Sequence, residues 1–240
     1  MRSAFFIVLA LAMFARADDF DAANQLFDAG KFDEARQRYS ALVDRGEWSA
    51  NLFYNLGNAE LRTGAPGRAM LGYERALVLD PGHSEARANL RLLREQANAK
   101  VPPRTWLDLA FGSFSLDTWV VVATISAWVI IFGIIVPLAT RRTLPAGLIF
   151  TMILAIFAAA YGAAGTWYTV QDREVGIIVA RQVDARFEPA DRAGLADVLP
   201  AGSRVRVLSE RGAWTYCELP GKGRGWVPAA SVERVRLTKT

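Results

Sequence analysis

Three hydrophobic patterns follow one another along the chain. Residues 18–100 place apolar side chains at helical spacing, punctuated by glycines; the middle holds two long uncharged runs; and from Glu174 onward short apolar stretches alternate with polar ones. The middle runs are the plainest signal. Thr118–Thr140 gives 23 residues without a charge and Thr143–Gln171 gives 29. The shorter one makes about 34 Å of helix at ~1.5 Å per residue, against a hydrocarbon layer of ~30 Å. The reading is two membrane-spanning helices, over 116–140 and 145–170, joined by a loop at 141–144. Burying two such helices in a soluble core would need a wrapping domain larger than the rest of the chain supplies.

Orientation follows from charge. Arg141 and Arg142 occupy the short loop, whereas Asp108 and Asp117 precede the first run, and Asp172, Arg173 and Glu174 follow the second. The excess of arginine places the loop in the cytoplasm and both flanking regions outside. The first residues agree: Met1-Arg2-Ser3, an uncharged run from Ala4 to Ala15, then Ala15-Arg16-Ala17 have the form of a signal peptide over 1–17, cleaved or retained as an anchor. Trp119, Trp167 and Tyr168 fall near the outer ends of the spans, where amphipathic rings favour the headgroup layer. Ala155, Ala159 and Ala163 repeat at i, i+4 and form a candidate helix-packing face. Residues 101–115 read either as a plain linker or as a short helix lying on the outer leaflet.

The region 18–100 repeats itself. At an offset of 34 residues Asn24 falls on Asn58, Gly30 on Gly64, Ala35 on Ala69 and Tyr39 on Tyr73. That spacing describes a two-helix hairpin: the glycine ends helix A in a left-handed exit, the alanine sits at the close helix crossing, and the tyrosine fills the next gap. Ser84–Gln96 then places Ala86, Leu90 and Leu93 on one stripe, as a capping helix must. Phe53, Leu56, Gly57, Ala69, Tyr73, Ala76 and Pro81 match the pattern of the tetratricopeptide repeat, which the region resembles; the first copy departs at Ala23, Leu42 and Glu47. The resemblance implies a concave groove lined by the A helices that takes a peptide or protein partner. On this chain Asn24, Tyr54, Asn55 and Asn58 would face it, with Arg87 and Arg91 nearby: asparagines for an extended backbone, arginines for a carboxylate.

In the last region, 171–240, strands are expected at Gly176–Ala180, Ser203–Leu208, Trp214–Leu219 and Gly225–Val227, separated by the turns Pro200-Ala201-Gly202 and Pro220-Gly221-Lys222-Gly223. Leu199–Leu208, Gly212–Leu219 and above all Gly225-Trp226-Val227-Pro228 resemble the bacterial SH3-like domain. That resemblance implies a small closed all-β barrel with Trp214, Tyr216, Trp226 and Pro228 as a surface for peptide or cell-wall material, at least one tryptophan serving the core. Cys217, alternating with Thr215, reads as a small buried hydrophobe rather than a reactive thiol.

Composition narrows the function. One cysteine and one histidine in 240 residues leave no disulfide framework and no cysteine- or histidine-rich metal centre. No nucleophile elbow, Walker A loop, dinucleotide-binding loop or His-Glu zinc motif occurs, and His83 beside Gly82 reads as a helix terminus. The expectation is a non-enzyme without cofactor or metal. Residues 18–100 carry 11 basic and 13 acidic side chains and residues 171–240 carry 12 and 9, so the last region is basic enough to favour anionic polymers or headgroups, while an outer-face position excludes nucleic acid.

In order, these parts resemble the tetratricopeptide-repeat membrane proteins of the bacterial aerotolerance (Bat) operon. The fold expected is therefore a multidomain membrane protein of all-α repeats, a transmembrane hairpin and a small SH3-like barrel. It would sit multi-pass in the bacterial inner membrane with both large domains on the periplasmic side. The function implied is a scaffold gathering membrane proteins or peptides through groove and spans, in aerotolerance or envelope stress tolerance. The alternative is a peptidoglycan-binding module that recruits a wall enzyme.

Overall fold

The structure, a computed structural model, describes residues 19–103, 105–140, 145–171, 174–221 and 223–237. The expected signal peptide, the Arg141–Arg142 loop, Asp172, Arg173 and Lys222 lie outside the described residues. Those described form two compact units: the part up to Pro103 together with the part from Glu174, and the stretch between.

The first unit begins with five helices: α1 (19–28), α2 (Phe32–Asp44), α3 (Ala50–Arg62), α4 (Pro66–Leu79) and α5 (Ser84–Ala97). Their boundaries repeat as the sequence does. Gly30 and Gly64 both have positive φ, at 77° and 81°. The residue after each reaches back to close the preceding helix: Lys31 N–H to Leu26 O, Ala65 N–H to Glu60 O, each 2.9 Å. Ser49 caps α3 by accepting from the Leu52 amide, and Pro66 starts α4 where no amide is needed. At the α3–α4 crossing Ala69 is fully buried; a Cβ on Gly72 would lie 2.9 Å from the Gly57 Cα, so the two backbones touch. Ala86, Leu90 and Leu93 of α5 are buried against Phe53, Met70, Tyr73 and Ala76, as a capping helix requires.

Glu60 of α3 is the one strongly buried carboxylate of this bundle among the described residues, 6% exposed. Burial pushes its pKa up; Arg36 and Arg68 pull it down, and Glu233 and Asp33 add to the rise. A raised pKa in the folded state means that ionised Glu60 opposes folding above that pKa, and that the penalty vanishes below the ordinary glutamate value. Glu60→Gln is therefore expected to stabilise the protein at neutral pH, with the difference closing on acidification; urea unfolding at a series of pH values measures it.

The rest of this unit is one antiparallel sheet of seven strands: β1 (Val175–Ile178), β2 (Gln182–Arg186), β3 (Leu195–Pro200), β4 (Arg204–Arg211), β5 (Trp214–Glu218), β6 (Arg224–Pro228) and β7 (Val232–Arg234). The spatial order is β3-β2-β6-β5-β4-β1-β7. β3 pairs with β2 and β7 with β1, so the ladder has two edges and does not close. This corrects the expected SH3-like barrel: closure requires the edge strands to pair, and strand spacing and turn chemistry do not encode that pairing. The β3 edge is blunted, because the Val198 amide donates to the Asp197 carboxylate at 2.8 Å and Pro200 has no amide proton. Ile178, Val183, Ala185, Leu199, Val205, Val207, Cys217, Leu219 and Val227 form the sheet's core. Cys217 is fully buried and its thiol is pushed up to about 12 by burial, which keeps it protonated and inert.

Repeats and sheet share packing. Leu71 of α4 is buried with Val175, Ile177 and Val235, and Ala201 enters the core of the second repeat. Arg75, nearly buried, donates to the carbonyls of Arg234 (3.0 Å) and Val235 (3.3 Å). Lys100 joins β4 at the other end: its amide donates to Ser203 Oγ and its carbonyl accepts from the Arg204 amide, both 3.0 Å.

The second unit is the helical pair α7 (Leu116–Thr140) and α8 (Ala146–Gln171), preceded by the short α6 (Trp106–Phe111). Both long helices are long and apolar enough to cross a membrane, and only 17% and 11% of their most apolar windows is buried. Their contact face differs from the expected alanine stripe. Ala155 is buried but Ala163 is exposed. Gly162 and Gly165 make the close approach instead: an added Cβ would lie 2.9 Å from the Ala123 amide nitrogen and 2.3 Å from the Trp119 ring. Successive i+4 steps drift by about 40° around a helix of 3.6 residues per turn, so the third alanine has rotated off the seam.

Candidate functional site

The A helices α1 and α3 enclose a pocket of about 330 Å³, lined by Asn24, Phe27, Asp28, Tyr39, Asn55 and Asn58. A hydrogen-bond ladder with the period of the repeat builds it. Asn24 Oδ1 accepts from the Tyr39 hydroxyl at 2.7 Å and from Asn55 Nδ2 at 2.9 Å. One repeat later, Asn58 Oδ1 accepts from the Tyr73 hydroxyl at 2.7 Å and from Asn89 Nδ2 at 3.5 Å. Each asparagine thus ties its own B-helix tyrosine to the next A-type helix. Burial pushes both tyrosines up to about 12, opposed by the asparagine hydrogen bonds, so both hydroxyls remain donors.

The expected groove residues divide accordingly. Asn24, Asn55 and Asn58 do line one pocket, but one atom of each amide, the Asn24 and Asn58 oxygens and the Asn55 nitrogen, is hydrogen-bonded within the repeats. Tyr54 is half-buried outside the pocket lining, its ring 4.8 Å from His83 and 5.8 Å from Tyr73. His83 is the N-cap of α5, accepting from the Ala86 amide, so it starts a helix rather than ending one. Arg87 and Arg91 are exposed on α5; Arg87 donates to the Pro81 carbonyl, and Arg91 pairs with Glu95 at 2.8 Å. The expected carboxylate-binding pair is therefore not assembled at the pocket. Phe27 and Asp28 were missed from the sequence and Tyr39 was read only as packing, although Asn55 and Asn89 also stand 34 residues apart, the spacing of the ladder.

On the sheet, Trp214, Tyr216, Trp226 and Pro228 share the face of β5 and β6 opposite buried Thr215, Cys217, Gly225 and Val227. Tyr216 and Trp226 pair across the strands with rings 4.9 Å apart and 32° from parallel. Neither tryptophan belongs to the core cluster, contrary to expectation. Among the described residues no group of three His, Cys, Asp or Glu could hold a metal ion.

The tetratricopeptide repeat family matches residues 20–84, and this region is a tetratricopeptide-like repeat array. No curated protein matches the chain. The wider resemblance to membrane proteins of the aerotolerance operon is corrected on these findings: the family match covers the repeats alone, and the tail is an open sheet.

Proposed function

We propose that the chain is a non-enzymatic membrane scaffold that holds a protein segment in the groove of its repeats. The pocket on α1 and α3 carries this reading. With the side-chain oxygens of Asn24 and Asn58 engaged internally, it offers the exposed Asp28 carboxylate beside Phe27, a pairing suited to a segment that brings a cation or a cluster of N–H donors over an apolar contact. Asp28→Lys should leave stability within ~0.5 kcal/mol, as exposed substitutions usually do, yet lower recovery of partners crosslinked in intact membranes and quantified by mass spectrometry. Unchanged recovery would remove the groove from the function.

The membrane part of the proposal is an inner-membrane hairpin with the repeats and the sheet on the periplasmic side. It is supported by the length and exposed apolar surface of α7 and α8 and by the arginines between them. A phosphatase reporter joined after Lys100 or Thr240 is expected to be active, and one joined at Thr143 inactive. A second reading, peptidoglycan recognition, draws on the aromatic face of Trp214, Tyr216, Trp226 and Pro228; loss of sedimentation with purified sacculi in a Trp214→Ala variant would favour it.

A further inference from the structure

The exposed side of α6 is apolar. Phe111 faces inward, 9% exposed, within 5.2–5.8 Å of the Trp119, Tyr161 and Tyr168 rings. Trp106 and Leu109, three residues apart and so on one face, are 72% and 68% exposed. A helix whose inner side is satisfied and whose outer side is tryptophan and leucine is inverted for water and suited to a lipid boundary.

Its position is fixed from both long helices. The Tyr161 hydroxyl donates to the Ala110 carbonyl at 2.9 Å, the Trp119 indole N–H to the Phe111 carbonyl at 3.3 Å, and the Tyr168 hydroxyl to the Asp108 carboxylate. Asp108 and Thr105 also form a capping box, so the first turn is satisfied locally. These ties hold α6 across the end of the α7–α8 pair where Trp167 is exposed, and Phe114 adds a further exposed ring there. Trp119, which the sequence suggested as a headgroup contact, is 2% exposed beneath this assembly, whereas Trp106 is exposed.

We infer that α6 is an interfacial foot. Trp106, Leu109 and Phe114 enter the headgroup–acyl boundary of the outer leaflet, to ~5–10 Å, and fix the depth and rotation of the hairpin. The inference rests on the membrane reading of α7 and α8. Its occupant is the bilayer surface, because the apolar patch is hydrogen-bonded rigidly to the end of two helices of bilayer length and continues their exposed apolar sides.

The test uses the full chain, Cys217→Ala, in phosphatidylcholine–phosphatidylglycerol vesicles, with one spin label at a time introduced by Trp106→Cys, Leu109→Cys, Phe132→Cys in α7 or Arg211→Cys on the sheet. Labels at 106 and 109 should be relaxed several-fold more by oxygen than by a water-soluble nickel chelate, relative to the label at 211, and should report a depth between those at 211 and 132. Two results overturn the inference while leaving the hairpin intact. One is a lipid-buried label at 132 with labels at 106 and 109 as open to nickel as that at 211. The other is shielding of 106 and 109 from both reagents, which means that protein covers them. A nickel-accessible label at 132 overturns the membrane reading itself.

Discussion

Tyr73→Ala is expected to lower the stability of the repeat-and-sheet unit by about 3–5 kcal/mol, the range for deleting a large buried ring. Tyr73 is fully buried and its ring packs so closely on the α3 backbone that a Cβ on Gly57 would lie 2.8 Å from it. No neighbour of that size can collapse into the space, since Gly57 and Ala69 are small because the helices cross there. Removing the ring also leaves Asn58 with Asn89 at 3.5 Å as its remaining ladder partner. Tyr73→Phe separates the two effects. It keeps the packing and removes one hydrogen bond, so it should cost about 1 kcal/mol. Urea unfolding of the full chain in detergent, followed by circular dichroism, gives both numbers. A Tyr73→Ala midpoint within error of the parent would contradict the packing described for the second repeat.

The same residues show what the sequence can and cannot specify. Gly30, Gly64, Ala69 and Tyr73 were legible because a repeat writes the same local constraint twice: a left-handed exit, then a small residue at a crossing, then a ring. The α5 stripe was legible because helical period and burial coincide. The ladder was not, because Asn24 and Asn58 look like exposed polar residues until the tyrosine 15 positions on is seen to reach them. In the sheet, the strands expected at 176–180, 203–208, 214–219 and 225–227 are β1, β4, β5 and β6, whereas β2, β3, β7 and the open edges were not legible. The apolar run of β1 is buried throughout because the strand is covered on both sides, Ile178 facing the sheet core while Val175 and Ile177 face Leu71 of α4. β2, with Gln182, Asp184 and Arg186 outward, has too little apolar content to stand out, and whether edges meet is decided by partners distant in sequence.

Gly67→Leu should separate the repeats from the sheet. Gly67 lies in the first turn of α4, and a Cβ there would be 2.3 Å from the Val179 carbonyl oxygen and 2.8 Å from its Cα. The obstacle is main chain, so no rotamer change relieves it; one element must move away from the other. Three sets of contacts depend on that approach: Leu71 with Val175, Ile177 and Val235, Met70 against Gly202, and the two carbonyls held by Arg75. Arg75 is the sensitive member. Burial lowers its pKa while Glu233, 3.7 Å away, supports the charge, so a small shift of the sheet lengthens its two hydrogen bonds while the guanidinium is still largely covered. The expected cost is about 3 kcal/mol, the upper end for overpacking, with hydrogen exchange rising in residues 175–179 and 232–235 and remaining at parent values in α1. Arg75→Met removes the charge without a clash and should loosen the same segments less. If Gly67→Leu leaves exchange in β1 and β7 unchanged, the two parts are not held by this contact, and the sheet is attached to the repeats through Ala201 and through Lys100 on β4.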